Sequence, residues 1–313
     1  AREQNLCALN AARRFHSLSR WRERVGVRAT AHHLAPQIEE KNMLTENQIQ
    51  TLAAELHASE KSRQQVEHFS KRFAGMTVED GYRISRAWVA LQLSEGRQVI
   101  GHKIGLTSRA MQISSQIDEP DYGTLLDSML YTCTPGQVLP IPTDRFIAPR
   151  VEVELAFVLK SDLKGPDIGV EHVLAATEYV TPAIEIIDAR IEQFDRHTRV
   201  MRKVQDTISD NAANAGIVIG AGRTDARAID RAWVGAILRQ NGAVEETGLA
   251  AGVQGDPAIG IAWLANKLAP WGEHLKAGQI VLAGSFTRPV AARAGDVFEA
   301  DYGPLGKLAF AFV

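Results

Sequence analysis

The chain has 313 residues, 45% of them hydrophobic, and a formal net charge of −2. That supports one large domain or two modest ones with a proper core. Near-neutral charge, sparse aromatics and no basic stripe argue against a nucleic-acid partner, and no apolar run reaches the roughly 18 residues that span a membrane.

Residues 1–42 differ from the rest. They hold eight Lys and Arg against four Asp and Glu, with Arg13, Arg14, Arg20, Arg22, Arg24 and Arg28 close together. Such a stretch fits an organellar transit peptide or an extension outside the fold. The fold is expected to open at Met43. Thr45 and Gln48 form a capping box, Leu44 staples onto Ile49, and Ile49, Leu52, Ala53 and Leu56 repeat at helical spacing. A second helix is predicted from Thr77 to about Ser94, burying Ile84, Trp88 and Leu91, with Gly96 at its end. These helices make residues 43–96 an N-terminal unit without a chemical signature. The two cysteines, Cys7 and Cys133, form no ligand pattern and read as free thiols of a reducing, cytoplasmic setting.

From Arg97 to Val313 the texture changes to short apolar runs broken by Gly and Pro, which predicts a β-rich domain over 97–313. Strands are predicted at Val99–Leu106, Val138–Ile141, Val151–Leu159, Ala183–Ile187, Ile217–Ile219, Ala232–Gln240, Gln279–Leu282 and Leu308–Val313. Helices are predicted at about Val170–Tyr179 and Pro257–Leu268. Within the first strand, Gly101 and Gly105 flank His102 and Lys103, and small flanks let a ligand approach. Lys103 fits an acid/base, an anchor for a carboxylate or a surface lysine; His102 fits a packing histidine or a catalyst. Asp121, before Tyr122-Gly123, fits a turn or a proton carrier.

The third predicted strand carries the strongest signal. Val151, Val153, Leu155, Phe157 and Leu159 share one face, while Glu152 and Glu154 share the other with Ala156 and Val158. Its two carboxylates start about 7 Å apart at Cα. Glu185 is a further isolated acid in the apolar run 183–187. Buried acids are costly unless paired, protonated or metal-bound, so the three suggest a hard divalent cation; solvated acids on an edge strand are the alternative. The charged stretch 190–203 has no period and reads as a mobile loop over a site. Ser209, Asp210 and Asn211, in the run to Gly216, fit a cap or a ring of donors behind metal ligands. Gly284-Ser285-Phe286-Thr287-Arg288 fits a plain strand end or an anion-binding turn.

Together these segments carry a resemblance. Gly-His-Lys-Ile-Gly-Leu-Thr-Ser at 101–108, Pro-Asp-Tyr-Gly at 120–123, Pro-Arg-Val-Glu-Val-Glu-Leu-Ala-Phe at 149–157, Pro-Ala-Ile-Glu-Ile-Ile-Asp-Ala-Arg at 182–190, Ser-Asp-Asn-Ala-Ala-Asn-Ala-Gly at 209–216 and Gly-Ser-Phe-Thr-Arg-Pro-Val at 284–290 occur in order. From about Met43 onward the chain resembles the hydratase/decarboxylase branch of the fumarylacetoacetase superfamily. The resemblance implies an α+β fold, a mixed β-sheet roll with a small N-terminal helical unit. It implies Mg²⁺ or Mn²⁺ on Glu152, Glu154 and Glu185, and Lys103 and Asp121 as acid/base residues. The hydrolase branch carries an aspartate where Glu185 stands, which argues against carbon–carbon hydrolysis. A hydratase acting on a seven-carbon 2-oxo-enedioate in aromatic-acid catabolism is expected, as a homo-oligomer, a pentamer or decamer. A 2-oxo-3-enedioate decarboxylase, a 2-hydroxypentadienoate hydratase and a non-catalytic partner subunit are the alternatives. Ser209, Asp210, Asn211, Ser285 and Thr287 are expected at the substrate. Arg190, Arg202, Lys203 and Arg288 are the basic candidates for its distal carboxylate.

Overall fold

Thr45 starts the first helix as its spacing predicts. Its Oγ1 accepts the Gln48 N–H at 3.3 Å, and Gln48 Oε1 accepts the Thr45 N–H at 2.8 Å, closing a capping box at α1 (Glu46–Ser62). A single-turn α2 (Phe69–Arg72) leads to α3 (Val78–Ser94), capped in the same way by Thr77 and Asp80. Ile49, Leu52 and Leu56 of α1 bury against Ile84 and Trp88 of α3, and Leu91 packs partly buried beside them. Each such fully buried side chain contributes roughly 1.5–3 kcal/mol. The same cluster takes in Leu126, Met129 and Ile191 from the β-rich part. The computed structural model describes residues 43–313, which belong to one compact unit; the basic stretch with Cys7 lies outside the described residues.

The β-rich part opens with β1 (Val99–Gly105), a short α4 (Arg109–Ser115), β2 (Asp121–Leu126), β3 (Leu130–Thr132) and β4 (Leu139–Ile141). Then come β5 (Arg150–Leu159), α5 (Val170–Ala176), β6 (Thr177–Ile187), α6 (Val204–Ser209) and β7 (Asn214–Ile219). The chain ends with β8 (Gly235–Gln240), β9 (Ala243–Leu249), α7 (Pro257–Leu268), β10 (Ile280–Leu282), β11 (Val290–Ala291), β12 (Val297–Asp301) and β13 (Lys307–Phe312). Eight strands form one sheet, ordered β2-β1-β10-β5-β6-β7-β3 with β11 on β5; the other five form a second, ordered β4-β13-β12-β8-β9. Both mix parallel and antiparallel pairs: β1 runs parallel to β10 and β13 to β4, whereas β5 and β6 are antiparallel. This is the mixed α+β arrangement expected.

The larger sheet is buried on both faces. Val151, Val153, Leu155, Phe157 and Leu159 join Phe298, Phe310 and Phe312 of the second sheet in the main core. Ala156 and Val158 turn the other way, into a smaller cluster with Leu125, Ala183, Ile217 and Leu282. The two-residue period of β5 therefore assigns its faces as the sequence predicts.

Three expectations change. The helix predicted to Tyr179 stops at Ala176, where Thr177 Oγ1 donates to Val173 O at 2.8 Å; Thr177–Tyr179 instead begin β6. Branched and aromatic side chains favour that outcome, and β6 pairs with β5 along its whole length. Pro182 hid the continuity, because a proline speaks against an inner strand. It sits where the pairing with β7, which starts at Ala183↔Ile219, has ended. Asp121 opens strand β2 and is no turn residue. The stretch 190–203 has no regular period, yet it is tied down: Val66 N–H donates to Arg190 O at 2.9 Å and Arg202 N–H to Gln193 O at 2.9 Å.

Candidate active site

Five neighbouring strands bring the acids and the lysine to one face of the larger sheet. Glu152 on β5 lies opposite Glu185 on β6 in register. Lys103 on β1 lies opposite Leu282 of β10 on one side and Gly123 of β2 on the other; Gly105 lies opposite Asp121. Ile104, Tyr122, Val153, Ile184 and Ile186 occupy the opposite face, in the main core. The alternation that buries those side chains aims the polar ones together.

Glu152, Glu154 and Glu185 each place a carboxylate oxygen within 4.8 Å of the others. Glu154 and Glu185 are fully buried, and Glu152 is partly buried. Lys103 Nζ lies 3.3 Å from Glu185 Oε1, which also accepts from Asn214 Nδ2 at 2.8 Å. Glu154 Oε2 accepts the Gly284 N–H at 2.8 Å. That approach uses a positive φ of 121° at Gly284, where a Cβ would also come within 2.5 Å of Thr107 Oγ1. Gly105 is needed for a different reason: a Cβ there would stand 2.3 Å from Asp121 Oδ1 and 3.0 Å from Lys103 Nζ.

Among the described residues the charges of the site do not balance, and Glu154 Oε1, Glu185 Oε2 and Asp121 Oδ1 are buried acceptors without a donor. Burial, then the neighbouring Glu185, pushes the Glu152 carboxyl up to about 8. Burial, Glu185 and Glu152 hold Glu154 well above the usual range, and burial raises Asp121 against the pull of Lys103. Burial pushes the Lys103 ammonium down, but Glu185, Asp121, Glu152 and Glu154 outweigh it and the shift is upward. Three converging carboxylates, two of them with an orphaned buried oxygen, fit a hard divalent cation with oxygen ligands. Among the described residues this is the one such cluster.

A cavity of about 1030 Å³ opens over these groups, with Lys103, Asp121, Glu152 and Glu154 in its wall. Of the other residues expected at the substrate, Arg202, Lys203, Ser285, Thr287 and Arg288 line it. Ser285 Oγ and Thr287 Oγ1 are largely bound within their own turn: Ser285 donates to Thr287 O at 2.8 Å, and Thr287 accepts the Val153 N–H at 3.1 Å. Arg288 is at the rim, 85% exposed and paired with Glu246 at 2.5 Å. Ser209, Asp210, Asn211 and Arg190 do not line the cavity. Their side chains are spent on the scaffold. Ser209 Oγ donates to Gln205 O, Asn211 clasps the backbone of Thr124 through both amide atoms, and Arg190 grips Asp210 in a buried ion pair. This corrects the expectation of direct contact for these four: α6 and its following turn reach the cavity through Val204, Gln205, Thr207, Ala212 and Ala213 instead. Asn214 and Arg150 are the residues the reading did not single out for these positions. Arg150 was legible, because it continues the period of Glu152 and Glu154.

His102 faces away from this chemistry. It is buried, its Nδ1 has no partner, and burial, then Arg86, pushes it down to about 4. The unfolded imidazole titrates near 6.5, so protonation favours unfolding first. Stability from neutral His102 is present above about pH 6.5 and is lost as pH falls towards 4, on the order of 3 kcal/mol. Urea unfolding of wild type and His102→Gln should show the gap between them shrinking by that amount from pH 7 to pH 4; a constant gap refutes it.

A family profile described as fumarylacetoacetate (FAA) hydrolase C-terminal matches residues 98–313. The chain belongs to the fumarylacetoacetate hydrolase family. It is 53% identical over 262 residues to the 2-oxo-hept-4-ene-1,7-dioate hydratase of Escherichia coli, covering 84% of this chain and 97% of that protein. It is 40% identical over 251 residues to the 2-hydroxyhexa-2,4-dienoate hydratase of Comamonas testosteroni, covering 80% and 92%. Among solved structures, the 4-oxalocrotonate decarboxylase of Pseudomonas putida G7, complexed with magnesium and adipate, matches with a TM-score of 0.80 at 29% identity, over 86% of this chain and 99% of that one. No helix among the described residues is long and apolar enough to cross a membrane.

Proposed function

We propose that the chain is a hydro-lyase that adds water to 2-oxohept-4-ene-1,7-dioate, through its 2-hydroxy-2,4-dienoate tautomer, to give 4-hydroxy-2-oxoheptanedioate in aromatic-acid catabolism. The observation that carries this is the trio of buried carboxylates with Lys103 and Asp121 beside them under one cavity. The 53% identity to the Escherichia coli hydratase, over nearly all of that protein, supports the choice of substrate. Glu152, Glu154 and Glu185 would hold Mg²⁺ or Mn²⁺; a divalent cation there supplies a Lewis acid for the 1-carboxylate and 2-oxygen.

The protein's own groups move protons. Loss of a proton from C3 and gain of one at C5 turns the 4-ene into the conjugated 3-ene. Water then adds at C4, β to the ketone, and C3 takes a proton back. Lys103 and Asp121 are the carriers, because both fill the space a Cβ on Gly105 would take at the cavity wall and both are shielded from bulk water. Low local dielectric strengthens every charge interaction in that wall.

A decarboxylase reading draws on the 0.80 TM-score to the Pseudomonas decarboxylase. One assay separates the two. Purified protein, the seven-carbon diacid and Mg²⁺ should give a product heavier by one water. Release of carbon dioxide assigns the decarboxylase; no turnover leaves a non-catalytic subunit. Either result overturns the proposal. The homo-oligomer, a pentamer or decamer, belongs to the same proposal, and sedimentation of the purified chain tests it.

A further inference from the structure

Two arginines line the cavity wall, and the described residues supply neither guanidinium with a full set of partners. Arg150 precedes Glu152 by two residues on β5, about 7 Å of strand, and shares its face. It lines the cavity partly buried, and among the described residues its side chain has no hydrogen bond or ion pair. Arg202 precedes α6 and lines the same cavity, 8% exposed. It is held through Nη1 alone, which donates to Ile191 O at 3.0 Å and to Asp210 Oδ2 at 3.1 Å. Asp210 is itself fixed by the Arg190 guanidinium and by the Arg190 and Ile191 N–H groups. The buried Arg190–Asp210 pair thus orients Arg202 and leaves its Nε and Nη2 for something else.

Arg150 and Arg202 are two cations in the wall of one cavity. Asp188 accepts the Ile147 and Ala148 N–H groups, each at 2.7 Å. Like charges held together in a partly buried wall are costly unless an anion joins them. A carboxylate fits, since guanidinium donors match its two oxygens. The rival cations suit it less: Arg288 is exposed and committed to Glu246, and Lys203 is exposed.

We propose that Arg150 and Arg202 bind the far carboxylate of the substrate and so set the preference for diacids over monoacids. This rests on the proposed reading of the chain as a hydratase of a 2-oxo-enedioate. With the 2-oxo acid head at the glutamate trio, the far end lies one strand step along β5, at Arg150. The head is common to diacid and monoacid substrates, so discrimination belongs to this pair.

The test uses saturated analogues, which cannot be hydrated. Calorimetry on the Mg²⁺-loaded protein compares 2-oxoheptanedioate with 2-oxoheptanoate. Wild type should prefer the diacid, and Arg150→Gln should reduce that preference at least about tenfold, the worth of one charge-assisted hydrogen bond. Arg202→Gln should do the same; if it unfolds by freeing Asp210, Arg150→Gln alone decides. A preference unchanged in the variants overturns the arginine assignment and leaves the hydratase reading standing. Equal loss for both ligands places the pair at the head carboxylate and also overturns it. A wild type without preference overturns the diacid reading and the pair together.

Discussion

Exchanging Glu154 for Gln should abolish metal-dependent turnover, leave the fold intact and raise the melting temperature of the metal-free protein. The side chain is fully buried, and one of its oxygens accepts the Gly284 N–H while the other has no partner. A glutamine keeps the volume and the acceptor for Gly284. Its amide nitrogen can donate towards Glu152 and Glu185, which now repel Glu154. Removing one charge from a buried cluster of like charges relieves strain that the native protein carries when no cation is bound. The gain should show as a rise of a few degrees, since about 1 kcal/mol shifts the midpoint of a large domain by roughly 2–4 °C. The same exchange would remove one of the three proposed ligands. Wild type should gain stability from Mg²⁺, about 2.7 kcal/mol at a hundredfold excess over the dissociation constant, and the variant should gain almost none. Scanning calorimetry with Mg²⁺ and with a chelator reads both effects. A variant that keeps the Mg²⁺-dependent shift and near-wild-type turnover removes Glu154 from the ligand set.

The residues that could be read from the chain are those whose local pattern states a conflict. Glu152 and Glu154 interrupt a strand that is otherwise apolar on both faces, and the structure buries both faces. Thr45 and Thr77 announce their helices by capping boxes, which are local chemistry. The family and its mixed-sheet fold were legible because six separated segments agree in order, and the profile and relatives agree with them. Asp121 was ambiguous, because pairing with β1 at Gly105, sixteen positions earlier, decides that it opens a strand. Asp210 and Arg190 misled for a related reason. Charged side chains near a motif can face the ligand or brace the wall, and only their 20-residue-distant pairing shows the second. Strands β9 and β12 gave little signal: β9 is largely exposed at the edge of its sheet and reads as polar, and β12 alternates over five residues only.

Replacing Lys103 by Ala should lower turnover in saturating Mg²⁺ by about 10²–10⁴-fold, the usual contribution of a positioned acid or base. The ammonium is 4% exposed at the residue level and stands 3.3 Å from Glu185, and no other Lys or Arg makes an ion pair with the glutamate trio among the described residues. In the metal-free protein those acids keep it protonated despite burial. A cation bound to the trio would offset three of the four acids that raise it, leaving burial opposed by Asp121 alone and moving the amine downward. The metal-free variant also loses the one ion pair made to the trio among the described residues and should be less stable by roughly 3–5 kcal/mol. Activity must therefore be compared with Mg²⁺ present and folding checked by circular dichroism. Solvent deuterium entering C3 and C5 separates proton transfer from water addition: Lys103→Ala should slow the exchange along with hydration. Full exchange with slow hydration assigns the lysine to guiding water, and full rates for both leave Asp121 as the proton carrier, in which case Asp121→Asn should show the loss instead.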